Sequence, residues 1–434
     1  MDFLNTGPAV SKTMRSVVNK TAGITRAGDL CVVDLAKSDG EVTGAVAWHV
    51  ASGAPVVISA KATIVATGGL TRLYRRNSGS ANMGGDGYAI CLRAGAPPID
   101  MEFVQFFPIG HLAPRLIGMD PIMWDPFRYK LGGRLLNNRM EEFTQNYGVP
   151  EDGKYIITRD LGTYAILKEV EAGRGSPHGG AYLSFQHCSE AALRAAFGPV
   201  IDRLAKNQID LTKMPVEVAP IAHYHMGGIA ADGTMATGLP GLFAAGEAVG
   251  GANGANRLSG NAVTEALVFG RQAGRSAADY AKRVPAPGGA DNIDEALAPI
   301  AADSGRRDIN TAEMLQTLQA TMQDDVGPLR TEQKLTRALA RFDDMTQMLG
   351  ALPPGGGSGG FDMRRLEWLD LRNMLLVARV VTEAALARTE TRGAQAREDY
   401  PRTLPQWAVN QLVTLRGGEI ELSRGAAPAE AAAS

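Results

Sequence analysis

A glycine-rich segment from His223 to Gly274 constrains the fold of this chain most strongly. It contains the runs HYHMGGIAADGT, GLPGLFAAGEAVGGANGANRLSGNAV and VFGRQAG. Within it, Gly241–Ala245 is predicted to form a buried strand that Gly246-Glu247 closes, and a helix is predicted to begin near Gly260. Free N–H groups at the start of such a helix favour an anion or an electron-rich ring atom. The segment therefore predicts an α/β domain that binds a ligand beyond the end of a strand.

Two shorter glycine motifs lie upstream of this segment, after a run of predicted strands. Turn residues separate the strands, which are Leu30–Leu35, Val42–His49, Pro55–Ser59 and Ala62–Ala66. The last strand runs into ATGGLTRLY, and GGDG follows at Gly84–Gly87. Asp86 either accepts hydrogen bonds from ligand hydroxyls or caps a helix near Tyr88. Taken alone, each of the two motifs is better explained by a tight turn.

Length and composition exclude several classes of protein. The 434 residues predict two or three domains, and the formal net charge of −2 opposes a general nucleic-acid binder. The three cysteines are far apart and form no CxxC pair, which opposes a disulfide framework, an iron–sulfur cluster or another metal site. Met1–Asn19 has no continuous apolar core, and no stretch reaches the length of a membrane span. These features predict a cytoplasmic protein.

The C-terminal third of the chain is predicted to be helical. Residues 308–350 include one apolar helical face, formed by Leu335, Leu339, Phe342, Met345 and Leu349. These side chains are typical of a packed core rather than of a cofactor site. Another long helix is predicted around Leu366–Thr389.

The motifs together resemble the FAD-dependent succinate dehydrogenase, fumarate reductase and L-aspartate oxidase family. The resemblance runs in order along nearly the whole chain, through AKATIVATGG, GDGYAICLRAGA, DMEFVQF, LGGRLLNN, EAGRG, the glycine-rich segment and LRNMLLVARVVTEAALARTETRGAQAREDYP. Several ordered blocks are far more specific than a single glycine motif.

The resemblance implies the fold and its division. It implies an α/β chain with a partial doubly wound FAD-binding domain, an inserted α+β capping domain and a C-terminal helical domain. The boundaries expected are 1–105 and 215–285 for the FAD-binding domain, 106–214 for the cap, 290–395 for the helical domain and 396–434 for a C-terminal extension.

The resemblance also implies roles for residues of this chain. The positions that match FAD contacts are Ala66, Thr67, Gly68, Gly69, Asp86, Glu247, Asn261, Ala262 and Val263. His223 and Arg257 match substrate-binding positions that face the flavin. A guanidinium such as that of Arg257 holds a carboxylate through two hydrogen bonds. The alternatives are that Arg257 pairs with an acidic core residue and that His223 is a structural histidine.

The chain departs from the family pattern in three places. The first is the N-terminus, where nothing matches the GxGxxG unit that holds the FAD pyrophosphate. This indicates a truncated product, a misplaced start or one half of a split protein, whose missing unit a separate chain would carry. The second is the cap motif, in which QFHPT of relatives reads QFFPI. Phe107 and Ile109 thus replace two polar contacts to a carboxylate, unless Phe107 is only core packing.

The third departure concerns the arginine that relatives use to shuttle a proton. Its matching position, three residues before the Gly132-Gly133 pair, is Tyr129. Arg128 is the candidate after a slip of one residue, with Tyr129 or Lys130 as the fallback. The alternative is that Arg128 is a surface charge. Asn253 and Gln395 are further positions where relatives usually carry histidine.

These residues predict FAD-dependent oxidation or reduction of a C–C bond next to a carboxylate or carbonyl. Arg257 and His223 would polarise the substrate, a small acid or carbonyl compound, and Arg128 would move the proton. Phe107 and Ile109 oppose plain succinate or fumarate, because one carboxylate would lack partners. An iron–sulfur subunit is the expected electron partner, which would also bring the chain to a membrane. The alternatives are an L-aspartate oxidase-like amine oxidation and a non-catalytic subunit that has lost FAD.

Overall fold

A computed structural model describes residues 6–425 apart from 118, 120–121, 149–157 and 356–358. For residues 125, 126 and 129 it describes the backbone alone. The side chain of Tyr129, a predicted pocket residue, therefore lies outside the described residues.

The chain begins with one helix and four strands. The elements up to residue 99 are α1 (Thr6–Lys20), β1 (Leu30–Ser38), β2 (Glu41–His49), β3 (Ala54–Ser59), β4 (Thr63–Val65), α2 (Asp86–Ala94) and β5 (Pro98–Ile99). The strands β1, β2 and β3 form an antiparallel meander, as the turn residues predict. Asp39 and Gly40 both have positive φ angles, of 49° and 80°, which a two-residue turn matching the twist of a hairpin requires. Helix α1 lies where no element is predicted, and none of its residues is buried.

The cap is an antiparallel sheet with helices packed on it. Its elements are β6 (Val104–Ala113), α3 (Asp125–Leu131), β7 (Arg134–Leu136), α4 (Arg159–Glu171), β8 (Ala181–Ser184), α5 (Glu190–Phe197), α6 (Val200–Lys206) and β9 (Val216–His225). The strand order is β6-β9-β8-β7. Trp124 is fully buried at the centre, with ring centroids 5.9 Å from Phe185 and 5.7 Å from Phe197. The predicted boundary at residue 214 lies just ahead of β9, which pairs with cap strands on both sides.

After the cap, the chain returns to the first domain through β10 (Gly228–Ile229), β11 (Leu242–Ala244) and α7 (Asn261–Arg283). Strand β11 pairs in parallel with β4, so that Ala244 lies opposite Val65. Both strands therefore end at the same edge of the sheet. This pairing brings the glycine motif after Val65 next to Gly246-Glu247, as expected for the carboxyl ends of parallel strands.

The C-terminal region is helical and then returns to the first domain. Its elements are α8 (Ile293–Ala301), α9 (Thr311–Asp325), β12 (Leu329–Arg330), α10 (Glu332–Leu349), α11 (Met363–Ala387), β13 (Ala396–Arg397), β14 (Asn410–Arg416) and β15 (Glu419–Gly425). The apolar face predicted for α10 is confirmed, with Leu335, Phe342, Met345 and Leu349 buried and Leu339 half-buried. The β14–β15 hairpin joins β5 and β10 in one sheet, so the predicted extension completes the first domain.

Candidate functional site

The end of β9 carries the candidate substrate site. His223 is half-buried there, and its Nδ1 lies 2.7 Å from the hydroxyl of Ser78. The rings of Phe107 and His223 form a T-shaped pair, with 4.2 Å between centroids and an interplanar angle of 89°. Both residues lie on the paired strands β6 and β9. The predicted pocket position Phe107 and the predicted substrate residue His223 are therefore direct neighbours.

Arg257 approaches the same place from the loop ahead of α7. Its guanidinium carbon lies 4.3 Å from the centroid of the Tyr224 ring, and its Nη1 donates to the Leu258 carbonyl at 3.3 Å. The side chain is buried, yet its Nε has no hydrogen-bond partner. No carboxylate among the described residues forms an ion pair with Arg257, which opposes the alternative of a structural ion pair. A buried guanidinium with unused donor capacity is suited to bind an anion.

A second arginine, Arg159, reaches the site, and the sequence motifs do not identify it. It is the first residue of α4, after the N-cap Thr158. Its guanidinium carbon lies 4.2 Å from the centroid of the Phe107 ring, on the face of that ring. The sequence signal is the run ITRDL, in which a capping threonine precedes an arginine and an aspartate in the first helical turn. That signal shows where the helix begins but not where the arginine lies.

The structure places the predicted shuttle Arg128 in the cap, on α3. It is 1% exposed, so the alternative of a surface charge is wrong. Helix α3 packs on α5 and β6, in the part of the cap that surrounds Trp124. Lys130 is exposed on the same helix. Ile109 also belongs to the core around Trp124 and is 1% exposed, whereas Phe107 faces His223.

Burial and the two arginines together hold His223 in its neutral form. Burial first, and then the positive charges of Arg257 and Arg159, lower the pKa of His223 to about 3. At neutral pH the ring is therefore uncharged and carries one N–H donor and one acceptor. Burial likewise lowers the pKa of Arg257, and Arg159 contributes to that shift. All three groups therefore act on one another electrostatically.

The predicted FAD contacts lie at the common end of β4 and β11. Ala66 and Thr67 are exposed after β4, and Gly68 has a φ of 76°, a conformation that favours glycine. A Cβ atom on Gly69 would lie 2.3 Å from Oε1 of Glu247, so a larger residue at position 69 would require the Glu247 side chain to shift. The N-terminal end of α7 follows Gly260, and there Asn261, Ala262 and Val263 form the first helical turn. All of these positions face one region at the sheet edge.

Glu247 and Asp86 are the acidic members of this group. Burial raises the pKa of Glu247 to about 7, and its Oε1 accepts the backbone N–H of His225 at 3.1 Å. Asp86 begins α2 rather than capping it, since the N-cap is Gly85. Its Oδ1 accepts a hydrogen bond from Asn373 of α11 at 2.8 Å. The helical domain therefore supports one of the predicted cofactor residues directly.

Comparisons with known proteins decide the family. Residues 2–263 match the FAD binding domain family, and residues 315–428 match the fumarate reductase flavoprotein C-terminal family. This chain belongs to the succinate dehydrogenase and fumarate reductase flavoprotein family. It is an FAD-dependent oxidoreductase, and the expected fold class is confirmed. The cofactor that the resemblance implies, FAD, is confirmed with it.

Individual relatives support the same assignment. One subunit of the fumarate reductase (CoM/CoB) of Methanothermobacter marburgensis is 37% identical over 379 residues, which cover 87% of this chain and 68% of that protein. The fumarate reductase flavoprotein subunit of Escherichia coli is 33% identical, over 85% of this chain and 63% of that protein. A quinol-fumarate reductase structure with menaquinol molecules superposes with a TM-score of 0.85 at 30% identity, over 95% of this chain and 74% of the other.

A structure of Mycobacterium smegmatis Sdh1 in complex with UQ1 has a TM-score of 0.82 at 32% identity, over 96% of this flavoprotein and 70% of that chain. The flavoprotein therefore spans roughly two thirds of the length of such relatives. Within the described part of the chain, no helix is long and apolar enough to cross a membrane. The same residues contain no cluster of histidine, cysteine or acidic side chains that would hold a metal ion.

The described residues fit FAD on structural grounds. Gly69 packs directly against the Glu247 side chain, and Gly68 has a left-handed φ of 76°, so the two glycine motifs form one continuous turn at the sheet edge. Beside it, the surface of α7 is apolar yet exposed, with Val263 at 44% and Leu267 at 48%. Ile64 of β4 is 40% exposed on the same sheet. An open apolar surface of this kind is typical of a place that a ligand or another element covers.

Proposed function

We propose that this flavoprotein oxidises or reduces a C–C bond next to a carboxylate or carbonyl. The observation that carries the proposal is the meeting of Arg159 and neutral His223 at the Phe107 ring, with Arg257 on the neighbouring Tyr224 ring and acting electrostatically on His223. Cations and a neutral imidazole placed together polarise a carboxylate or carbonyl, which acidifies or activates the neighbouring carbon. When bound, FAD supplies the acceptor or donor of the hydride.

Each residue takes one task in this proposal. Arg257 binds the carboxylate or carbonyl oxygen through its guanidinium, whose Nε is unpaired in the buried site. His223 donates a hydrogen bond from its ring, with Nδ1 held by Ser78. Arg159, rather than Arg128, moves the proton at the neighbouring carbon, because it lies beside Phe107 and acts electrostatically on His223.

Phe107 directs the choice of substrate. Its ring forms a T-shaped pair with His223 and has Arg159 over its face, and the residue is 8% exposed. A substrate with carboxylates at both ends would bring one of them against this ring. Leaving a charged oxygen without a partner there costs roughly 1–3 kcal/mol. We therefore expect an acid whose far end is apolar or aromatic.

Two further partners belong to the proposal. Electrons would pass to or from a separate iron–sulfur subunit, as the similarity to fumarate reductase flavoprotein subunits supports. That subunit would also bring the flavoprotein to a membrane. The exposed apolar surface of β4 and α7 supports the addition of a dinucleotide-binding unit, carried by a separate chain or by further residues of the same polypeptide.

The test combines a spectrum with a turnover measurement. Purified flavoprotein, reconstituted with FAD and the dinucleotide-binding unit, should show the blue absorption of an oxidised flavin. After reduction by a viologen dye, it should be reoxidised by cinnamate, an unsaturated acid with an aromatic end, faster than by fumarate. A protein that takes up no flavin under these conditions would instead be a non-catalytic subunit. Oxidation of an amino acid in place of cinnamate reduction would support the amine-oxidase alternative.

A further inference from the structure

Three polar side chains, connected by four hydrogen bonds, join the two site arginines across the domain boundary. Gln105 donates from Nε2 to Oδ1 of Asn256 and to the carbonyl of Arg257, both at 2.8 Å. Its Oε1 accepts from Nη1 of Arg159 at 3.4 Å. Asn256 in turn donates from Nδ2 to Oδ2 of Asp160 at 2.8 Å. We call this set of hydrogen bonds the amide bridge.

The bridge connects parts of the chain that are otherwise separate elements. Arg159 and Asp160 open α4 of the cap, and Asn256 and Arg257 lie in the loop ahead of α7. Gln105 lies in β6 and is 1% exposed. A buried amide needs partners for both its oxygen and its nitrogen, and Gln105 finds them on the two sides of the boundary.

The amide bridge counteracts the repulsion between the two arginines. The positive charge of Arg159 is one of the factors that lower the pKa of Arg257. Two guanidinium groups in a partly buried site would move apart unless other contacts hold their elements together. The amide bridge provides those contacts, and the carboxylate of Asp160 adds a negative charge beside them.

We propose that Gln105, Asn256 and Asp160 are positioning residues, which set the placement of Arg159 relative to Arg257 by holding the cap against the cofactor domain. The catalytic consequence rests on the proposed function, in which one arginine binds the substrate and the other moves the proton. The structural consequence does not depend on it. Opening the bridge should free the start of α4 and the 251–258 loop together.

A swap of acid and amide tests the bridge with little change in shape. Asn256→Asp replaces the Nδ2 donor with a carboxylate oxygen, so the side chains at 256 and 160 repel each other and their hydrogen bond is lost. The double variant Asp160→Asn/Asn256→Asp restores it with the donor and acceptor exchanged. The new Asp at 256 also still accepts from Gln105. The matched control is Asp202→Asn, a carboxylate of α6 in the cap whose ion pair with Arg194 is exposed.

The first measurement is hydrogen–deuterium exchange in the full chain without substrate. We expect Asn256→Asp to speed exchange roughly ten-fold in residues 158–171 and 251–258, as loss of a bridging bond to a charged group predicts. The double variant should return to within two-fold of the wild type, and the control should not change. If the single variant exchanges like the wild type, or if the double variant stays as fast as the single one, the bridge does not hold the two elements.

The second measurement separates positioning from simple stability. With reduced, flavin-loaded protein and cinnamate, Asn256→Asp should lower kcat roughly ten-fold and change KM less than three-fold, because Arg257 still binds the acid. The double variant should recover kcat. Equal kcat in the wild type and the single variant would overturn the positioning role. If Asn256→Asp shows the faster exchange but the wild type reduces no cinnamate, the bridge stands and the proposed function is refuted instead.

Discussion

The replacement of Phe107 by histidine probes the substrate site most directly. In the wild type, the ring of Phe107 is buried against His223 and stacked beneath Arg159. A histidine there keeps a flat ring but adds an N–H donor that can reach a carboxylate. A hydrogen bond to a charged group contributes about 1.5–3 kcal/mol. The variant also loses the cation–π contact with Arg159, which costs about 0.5–2 kcal/mol whichever substrate is bound.

The specificity ratio removes the terms that are common to all substrates. We expect Phe107→His to raise kcat/KM for fumarate relative to cinnamate by roughly 10- to 100-fold, which corresponds to the hydrogen bond gained by the second carboxylate. The assay follows reoxidation of the reduced, flavin-loaded protein by each acid. Phe107→Leu is the matched control, because it keeps an apolar side chain and adds no donor.

Two results would refute this reasoning. A wild type that already reduces fumarate as well as Phe107→His does would show that the pocket is not altered in the expected way. Equal ratios in the leucine and histidine variants, with both proteins less stable than the wild type, would show that Phe107 is only core packing.

Four further predictions concern the arginines, the cofactor and pH. Arg257→Ala should lower turnover on the order of 10²–10⁴-fold and largely spare flavin content, and unchanged turnover would remove Arg257 from the mechanism. Arg159→Gln should lower kcat more than Arg128→Gln does, and Arg128→Gln should instead lower the stability measured by urea denaturation. A lower kcat for Arg128→Gln than for Arg159→Gln would return the shuttle role to Arg128. The 434 residues alone should bind FAD weakly, because residues 1–29 contain no GxGxxG run to hold the pyrophosphate. Fluorescence titration should show recovery of FAD binding when such a unit is added, and tight stoichiometric binding by the 434 residues alone would contradict this. Folding lowers the pKa of His223 to about 3 from an ordinary value of 6.5, so the unfolded chain binds a proton more readily between these two pH values. The free energy of unfolding should therefore fall as pH falls below 6.5, by on the order of 3 kcal/mol at pH 4. In urea titrations, His223→Gln should lose less stability than the wild type between pH 7 and 4.

The sequence alone was sufficient for the family, the cofactor, the first four strands and the main C-terminal helices. Local patterns carry this information, because a glycine pair at the end of a strand, a glycine before a helix and a positive-φ turn such as Asp39-Gly40 each require a particular backbone. The apolar period of α10 likewise predicts its buried face without any knowledge of its partner. Arg257 and His223 could be singled out because they match substrate-binding positions of the family that the motifs resemble.

The tertiary structure decided which side chains meet. Arg159 and Phe107 come from α4 and β6, and their contact depends on how that helix packs on that strand. The spacing of residues around Gly132-Gly133 led instead to Arg128, which the same packing places near the cap core. Sequence spacing measures distance along one chain, whereas a site is formed by packing between segments. The position of a buried charge therefore follows from the fold of the whole cap and not from its neighbours in sequence.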